Sequence, residues 1–361
     1  MRKWLLVPFL FVLAFSASAF KPKPIDVIAY YTGNAETIKN YPVSKLTHII
    51  YSFLHLKDDS LSFGSDKQKA TLLALTDLKK AYPKLKVMIA LGGWGGCATC
   101  SPVFSTQGGR DHFSQSVKKI LDEYNADGID IDWEYPTIPG FPDHDYSLSD
   151  KDNFTALMKT LRKTLGKKAE ISFAAGGFAS FVEESVDWKA VMPYVNRVNL
   201  MTYDLTNGNS PTTGHHTPLY SSPGQIESGN RCVEMLLAKG VSSKKLVLGA
   251  AFYGRAWKEV QPVNNGLYQS GVFTAFVPYK RLLQEYGDAA GYQFYTDSVS
   301  KASWRYSSAE RKFITYETIE SVKEKVTYSK KKKLGGIMFW ELTLDFTEKG
   351  LLDAIYDSVN E

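Results

Sequence analysis

Residues 127–136 read Asp-Gly-Ile-Asp-Ile-Asp-Trp-Glu-Tyr-Pro, and this stretch decides the fold of the chain. Side chains along a β-strand point alternately to its two faces, so the carboxyls of Asp130, Asp132 and Glu134 share one face. The residues between them are two isoleucines and a tryptophan, which form an apolar face that helices can cover. Charges are costly to bury, and crowding of like charges raises the pKa of at least one carboxyl. The stretch therefore predicts a buried strand that keeps one carboxylic acid protonated and able to donate its proton.

A cation site and a solvated acidic edge are the alternatives for the same stretch. Sites for Ca²⁺ or Mg²⁺ are usually loops rich in Gly, Asn and carbonyl ligands. The isoleucines and the tryptophan instead favour a strand that is packed against other elements. We therefore expect acid catalysis here rather than a metal site.

The first residues have the layout of a secretory signal peptide. Two basic residues precede an apolar run from Trp4 to Phe15, and Ala-Ser-Ala at 17–19 offers small residues for cleavage. The apolar run is shorter than the ~20 residues that a membrane-spanning helix needs. We therefore predict a signal peptide over residues 1–19, cleavage near Ala19, and a secreted or periplasmic protein without a membrane anchor.

The net charge gives no indication of a nucleic-acid partner. The chain has 43 Lys and Arg against 38 Asp and Glu, a formal charge of +5 that is not arranged as a basic stripe with aromatics. The dense basic run Lys330–Lys333 falls late in a helical pattern, where cations complement the helix dipole. We expect no nucleic-acid partner, and we expect a monomer.

The cysteines at 97 and 100 could bind a metal, form a redox pair or form a local disulfide. A metal would need two more ligands, and the sequence has no second closely spaced cysteine pair. A redox pair normally opens a helix after a strand, whereas this pair follows a glycine-rich stretch at 92–96. In an oxidising compartment we expect a structural disulfide between Cys97 and Cys100, and a buried helical position for Cys232.

Short apolar runs alternate with amphipathic helical patterns along the chain, which predicts an α/β fold, a (β/α)8 TIM barrel. The predicted barrel comprises residues 20–256 and 313–361. A Tyr- and Phe-rich segment at 257–312 predicts a small α+β insertion domain between strands seven and eight. The eight predicted barrel strands are Asp26–Tyr31, Thr47–Phe53, Lys86–Leu91, Gly128–Trp133, Glu170–Ala175, Arg197–Met201, Leu246–Phe252 and Gly336–Trp340.

Polar and aromatic residues end or follow most of these predicted strands. They include Tyr30, Phe53, Trp94, Asp132, Glu134, Tyr203, Asp204, Tyr253, Arg255 and Trp340. Active sites of such barrels form at the carboxyl ends of the strands. Carboxyls among aromatic rings suit sugars, whose C–H faces stack on the rings while their hydroxyls form hydrogen bonds. We therefore predict a carbohydrate site at this end of the barrel.

Several motifs resemble glycoside hydrolase family 18, the chitinases and their relatives. Residues 127–134 look like the family's DxxDxDxE signature. Elements similar to the family's third-, sixth-, seventh- and eighth-strand motifs occur at 91–94, 201–204, 252–255 and 335–341, in the same order along the chain as in the family. The resemblance runs from about residue 25 to the end, and the inserted segment resembles the chitinase insertion domain. One position departs from the pattern, because the family's usual serine in the third-strand element is Ala90 here.

This resemblance implies an exported chitinase that hydrolyses β-1,4-linked N-acetylglucosamine polymers or oligomers with retention, assisted by the substrate's own acetamido group. Glu134 would protonate the leaving oxygen, and Asp132 would orient the acetamido N–H. Asp130 would share a proton with Asp132, and Tyr203 would hold the acetamido carbonyl. The implied mechanism needs no metal and no organic cofactor. The implied substrate contacts are Tyr30, Phe53, Trp94, Asp127, Met201, Asp204, Tyr253, Arg255 and Trp340.

Two other functions stay open on the sequence. One is an endo-β-N-acetylglucosaminidase that trims N-glycans, although such relatives generally lack the inserted segment. The other is a carbohydrate-binding protein on the same barrel, although such relatives typically lose the acid that corresponds to Glu134.

Overall fold

Eight parallel strands close into a barrel in residues 24–361, the part of the chain that the computed structural model describes. The predicted signal peptide at residues 1–19 lies outside this part. The strands are β1 (Asp26–Tyr31), β2 (His48–Lys57), β3 (Ser60–Ser62), β4 (Lys86–Gly92), β5 (Gly128–Asp132), β6 (Glu170–Gly176), β7 (Arg197–Met201), β8 (Leu246–Ala251), β9 (Tyr253–Lys258), β10 (Val272–Pro278), β11 (Gln293–Asp297), β12 (Ala302–Ser307), β13 (Lys312–Tyr316) and β14 (Gly336–Trp340). The helices are α1 (Asp66–Asp77), α2 (Cys100–Phe104), α3 (Gln107–Tyr124), α4 (Asp150–Leu165), α5 (Trp188–Val191), α6 (Gly229–Ala238), α7 (Tyr279–Tyr286), α8 (Ile319–Lys332) and α9 (Leu351–Asn360).

The barrel consists of β1, β2, β4, β5, β6, β7, β8 and β14. Strand β1 pairs in parallel with β2 on one side and with β14 on the other, and this pairing closes the sheet. The short β3 pairs antiparallel with the end of β2. The predicted TIM barrel is therefore confirmed, and β1, β7 and β14 have the predicted bounds.

Alternation along β5 separates its two kinds of side chain, as the sequence predicts. Ile129 and Ile131 are fully buried in the layer between strands and helices, in the same cluster as Phe154 of α4. Asp130 faces the barrel interior, where it accepts a hydrogen bond from the Tyr30 hydroxyl. Strand β5 thus contributes to the apolar outer layer with one face and to the acidic interior with the other.

A five-stranded antiparallel sheet lies in the chain between β8 and β14, with the order β10-β9-β13-β12-β11. Its apolar cluster includes Trp257, Trp304 and Phe313, and α7 follows β10. A single residue, Phe252, separates β9 from the end of β8. The strands of the sheet therefore extend beyond the predicted segment 257–312 at both ends. Barrel and sheet are therefore joined without a linker at this point.

The helices agree with two smaller predictions. Helix α8 ends at Lys332 and Lys333 caps it, so the basic run lies at a helix end, as the sequence predicts. Cys232 lies in α6 and is 1% exposed. Among the helices between residues 24 and 361, none is both long enough and apolar enough to cross a bilayer.

Candidate active site

A cleft of about 560 Å³ opens at the carboxyl ends of the barrel strands. Its lining combines acids, aromatic rings and a short polar loop after β7. The lining residues are Phe53, Trp94, Asp132, Glu134, Tyr135, Phe178, Met201, Tyr203, Asp204, Leu205, Asn207, Gly208, Asn209, Tyr253, Arg255, Phe276 and Trp340. All predicted site residues are in this lining except Tyr30, Asp127 and Asp130.

Tyr30 and Asp130 lie beneath the cleft rather than in its wall. Both are buried, and the Tyr30 hydroxyl donates to Asp130 Oδ2 at 2.8 Å. The Tyr30 ring packs against Trp340, with ring centroids 5.7 Å apart. The prediction of a direct substrate contact by Tyr30 is therefore corrected, because this side chain supports the acids and Trp340 from below.

Asp127 lies at the opposite end of the barrel from the cleft. It precedes β5, whose carboxyl end carries the acids, so the strand separates it from them. The Val87 N–H donates to its Oδ2 at 2.8 Å, and Lys79 and Lys86 pair with it at 3.1 and 3.4 Å. The predicted substrate contact of Asp127 is therefore wrong, and its position at the barrel bottom indicates a structural role.

Three hydrogen-bond donors hold Asp130. The Ser172 hydroxyl and the Asn199 amide donate to Oδ1 at 2.5 and 3.0 Å, and Tyr30 donates to Oδ2 at 2.8 Å. Complete burial raises the pKa of Asp130, while these donors oppose that rise because they stabilise the ionised form. The Ser172 contact provides the hydrogen bond that Ala90 cannot supply.

The two acids above Asp130 lack comparable support. Burial, followed by the nearby charges of Glu134 and Asp130, raises the pKa of Asp132 well above its usual range. Among the described residues, Asp132 Oδ1 has no hydrogen-bond partner. Burial raises the pKa of Glu134 to about 7, and the charge of Asp204 acts in the same direction. The site therefore retains protons near neutral pH at a point that faces the cleft.

Asp204 has the opposite electrostatic setting in the same cleft. Burial by itself would raise its pKa, but His216, whose Nδ1 lies 3.7 Å from Oδ1, and the hydrogen-bonded guanidinium of Arg255 hold that pKa well below its usual range. Arg255 donates from Nε to Oδ1 at 2.8 Å and from Nη2 to Oδ2 at 2.6 Å, a bidentate pair, and the Tyr253 hydroxyl donates to Oδ2 at 2.8 Å. Asp204 is therefore an ionised carboxylate beside the protonated acids.

Tyr203 points a nearly free hydroxyl toward the acids. Its side chain is 8% exposed. Among the described residues, its hydroxyl has one hydrogen-bond partner, the Met338 sulfur, at the long distance of 4.0 Å. Burial, with the charges of Asp132 and Glu134 next, raises its pKa well above the usual range. Tyr203 therefore stays a neutral donor that can bind a ligand oxygen.

Two separate groups of aromatic rings line the cleft. Phe53 stacks on Trp340 with ring centroids 5.4 Å apart and planes 17° from parallel. Trp94 is 53% exposed. Its ring forms a T-shaped pair with the ring of Phe141, with ring centroids 5.6 Å apart. One aromatic platform is therefore packed and the other is open to solvent.

A disulfide lies in the loop that carries Trp94. Cys97 and Cys100 are joined, with their Cα atoms 5.1 Å apart, as the sequence predicts. Both cysteines are buried, and Cys100 begins α2. The bond therefore restrains the short connection between β4 and α2.

Several lining residues were not predicted from the sequence: Tyr135, Phe178, Leu205, Asn207, Gly208, Asn209 and Phe276. Tyr135 follows Glu134 directly, and Asn207–Asn209 follow the sixth barrel strand, so their positions in the motifs offered a signal. Phe276 belongs to β10 and stacks on Tyr253 with ring centroids 4.4 Å apart, a long-range contact that the local sequence does not indicate.

Known proteins resemble this chain over most of its length. The family model described as glycosyl hydrolases family 18 matches residues 26–345. Chitinase A1 of Niallia circulans is 33% identical over 75% of this chain and 42% of that protein, so the chain spans less than half of that relative. Endochitinase 1 of Metarhizium robertsii is 28% identical over 88% of this chain and 80% of that protein.

A solved structure agrees with this similarity. It is a family 18 N-acetylglucosaminidase from Paenibacillus barengoltzii, with a TM-score of 0.83 and 34% identity, covering 92% of this chain and 99% of that one. The family model spans nearly the entire described barrel, including the acids of β5. The chain therefore belongs to glycosyl hydrolase family 18.

Proposed function

We propose that this protein is an exported chitinase that hydrolyses β-1,4-linked N-acetylglucosamine polymers and oligomers with retention of configuration. The observation that carries the proposal is Glu134, a carboxylic acid with a pKa raised to about 7 in the wall of an aromatic-lined cleft. Such an acid can protonate a glycosidic oxygen at neutral pH. The names of the related chitinases agree with this substrate.

In the proposed first step, Glu134 gives its proton to the leaving oxygen while the bond from that oxygen to the anomeric carbon breaks. The acetamido carbonyl oxygen of the same sugar attacks the anomeric carbon from the opposite face and forms an oxazolinium ion. This substrate-assisted route needs no second carboxylate as nucleophile. Water then attacks the anomeric carbon and gives a proton to the Glu134 carboxylate, while the bond from that carbon to the acetamido oxygen breaks and restores the acetamido group. The two inversions produce net retention.

Asp132 and Tyr203 orient the acetamido group in this mechanism. Asp132 accepts a hydrogen bond from the acetamido N–H and stabilises the developing positive charge. Tyr203 donates its free hydroxyl to the acetamido carbonyl. Asp130 shares a proton with Asp132, so the stacked acids never carry three full charges.

The aromatic platforms provide sugar subsites on either side of the acids. Trp340, supported by Phe53, forms the floor under the reacting sugar, and Trp94 stacks against the leaving-group sugar. Asp204, Tyr253, Arg255 and Met201 complete the wall around the reacting ring. The cleft residue Phe276 supports the related proposal that the β9–β13 sheet acts as a chitinase insertion domain that deepens the cleft.

Export and oligomeric state are part of the same proposal. The basic, apolar and small-residue pattern of residues 1–19 supports secretion or periplasmic location. The Cys97–Cys100 bond is consistent with an oxidising compartment. We propose that the enzyme acts as a monomer without a membrane anchor.

The decisive experiment is mass spectrometry of the products from a chitin hexasaccharide, with the Glu134→Gln protein as the inactive control. We expect even-numbered fragments, chiefly the disaccharide, from the wild type alone. Single sugars as the main product would instead indicate N-acetylglucosaminidase activity, the activity named for the Paenibacillus barengoltzii structure.

A hexasaccharide left intact by both proteins would contradict the proposal. Binding of the intact sugar by both proteins would then favour a carbohydrate-binding protein. Release of an N-glycan from a glycoprotein under the same conditions would favour a glycan-trimming enzyme.

A further inference from the structure

Asp130 has unlike neighbours on the two strands that flank it. It is in register with Ala90 on β4 and with Ser172 on β6. All three residues are 0% exposed. In-register residues of neighbouring parallel strands point to the same side of the sheet, about 5 Å apart. The barrel interior therefore has a methyl group on one side of this carboxylate and a hydroxyl on the other.

The Ser172 hydroxyl makes the shortest contact that Asp130 has. It lies 2.5 Å from Oδ1, while the Asn199 amide lies 3.0 Å from the same oxygen and the Tyr30 hydroxyl 2.8 Å from Oδ2. Asn199 also donates to the Tyr30 hydroxyl at 3.1 Å, which leaves that hydroxyl's own proton for Asp130. All three groups can therefore act as donors, and donors favour the ionised form of a carboxyl.

Asp132, the other member of the proton-sharing pair, has a different environment. Its Oδ1 has no partner among the described residues, and it ends β5, between Asp130 and Glu134 in the sequence. A proton shared by the two aspartates is therefore stabilised on Asp132 when Asp130 keeps its donors.

We propose that Ser172 is a positioning residue of the reaction: its hydroxyl fixes Asp130 as the ionised partner and so leaves the shared proton on Asp132, beside Glu134. This inference rests on the proposed function and adds to it a residue outside the cleft lining. Ser172 acts through Asp130 and touches no substrate.

The register supplies a test that a purely structural role would not pass. Ala90 faces the same carboxylate from β4, so Ala90→Ser brings a hydroxyl to the other side of Asp130. If Ser172 serves as a donor, this second hydroxyl replaces it. Ser114 of α3 provides the matched control, since it is also 0% exposed and its hydroxyl has no hydrogen-bond partner among the described residues.

The experiment compares the wild type, Ser172→Ala, Ser172→Ala with Ala90→Ser, and Ser114→Ala. For Ser172→Ala we expect kcat to fall roughly tenfold or more, which is the scale of one charge-assisted hydrogen bond, with little change in KM. The acid limb of the pH–rate profile should move to higher pH, because Asp130 holds its proton more tightly. The double variant should regain most of kcat and the original acid limb, and Ser114→Ala should behave as the wild type.

Two results would overturn the inference. One is a Ser172→Ala protein with the wild-type kcat and acid limb. The other is a Ser172→Ala protein whose kcat falls while its acid limb stays in place, and whose kcat is not restored by adding Ala90→Ser. Thermal unfolding of all four proteins separates either result from loss of the fold.

A measurement without substrate keeps this inference separate from the proposed function. Carboxyl ¹³C NMR follows the titration of Asp130 and Asp132 directly. An upward shift of their first midpoint in Ser172→Ala, absent in Ser114→Ala, supports the inference even if the wild type cleaves no chitin oligosaccharide. An unchanged midpoint overturns it even if the wild type is an active chitinase.

Discussion

Two carboxylate regions line the same cleft, and they differ in their counter-charge. Asp132 ends β5 and Glu134 follows two residues later; neither pairs with a cation among the described residues, and burial raises the pKa of each. Asp204 forms a bidentate ion pair with Arg255. Arg255 and the nearby His216 hold the pKa of Asp204 well below its usual range. Residue type does not decide which carboxyl carries a proton, because the neighbouring cation does. The region of Asp132 and Glu134 therefore retains a proton near neutral pH, whereas Asp204 stays ionised.

Removing the proton from the first region should give the largest effect. In Glu134→Gln the general acid is lost while the shape of the side chain is kept. We expect kcat on a chitin hexasaccharide to fall by roughly 10²–10⁴-fold, with oligosaccharide affinity retained. Initial rates and calorimetric titration measure the two quantities. Glu184→Gln, at an exposed glutamate, is the control, and equal loss of rate and affinity in Glu134→Gln would contradict its role as the acid.

Removing the cation from the second region should cost stability. In Arg255→Met, Asp204 stays at the cleft but loses its bidentate partner. The Asp204 side chain is 32% exposed, so solvent screening limits the loss in free energy of unfolding to about 1–3 kcal/mol at neutral pH. Urea denaturation measures this difference.

The pH dependence of that loss has a defined sign. The folded-state pKa of Asp204 is depressed, so its contribution is complete above the unfolded pKa of about 3.9 and is lost as the pH falls below it. The gap between the two proteins should therefore close in acid. Arg281→Met, which breaks an exposed pair with Glu285, should cost at most about 0.5 kcal/mol. A gap that persists unchanged at low pH would contradict the role of Asp204.

Neutralising the charge of the second region should alter the first. The Asp204 charge raises the pKa of Glu134, which reaches about 7 in the intact site. Wild-type activity should fall as the pH rises through about 7, because Glu134 then loses the proton it must donate. In Asp204→Asn the basic limb of the pH–rate profile should move to lower pH, by about one unit or less. A basic limb that stays in place would show that the two regions are electrostatically independent.

The open aromatic platform should have the smallest effect. Trp94 is 53% exposed, so Trp94→Ala removes a stacking surface without opening the core. We expect KM for the hexasaccharide to rise several-fold, corresponding to roughly 0.5–1.5 kcal/mol, with kcat nearly unchanged. Tyr146→Ala removes another exposed aromatic ring, one outside the cleft lining, and should leave KM as it is. An unchanged KM in Trp94→Ala would exclude Trp94 from the leaving-group subsite.

The sequence predicted those parts of the molecule that follow a local period. The alternation of Asp130, Ile131 and Asp132 fixed which side chains face the barrel interior, and the strand positions followed from apolar runs. The sequence motifs wrongly indicated substrate contacts for Asp127 and Tyr30. A motif does not distinguish residues in the wall of a cleft from residues beneath it or at the far end of a strand.

Long-range contacts were beyond such patterns. Ser172 lies in an ordinary apolar strand, and only the register between β5 and β6 brings it to Asp130. No sequence motif indicates that His216 lies near Asp204, yet its Nδ1 is 3.7 Å from Asp204 Oδ1. These contacts depend on how separate elements meet, which a single sequence leaves open.

The direct passage from β8 into β9 limits how the molecule can be recombined. Arg255 belongs to the first strand of the five-stranded sheet, yet it binds Asp204, which follows the barrel strand β7. A chimaera that exchanges this sheet at residues 257 and 312 would keep Arg255 with the barrel but cut through its own strand. A junction before Tyr253 would keep the strand whole but would import a foreign partner for Asp204. Neither boundary makes the sheet an interchangeable module, so sheet and acid site are constrained to change together.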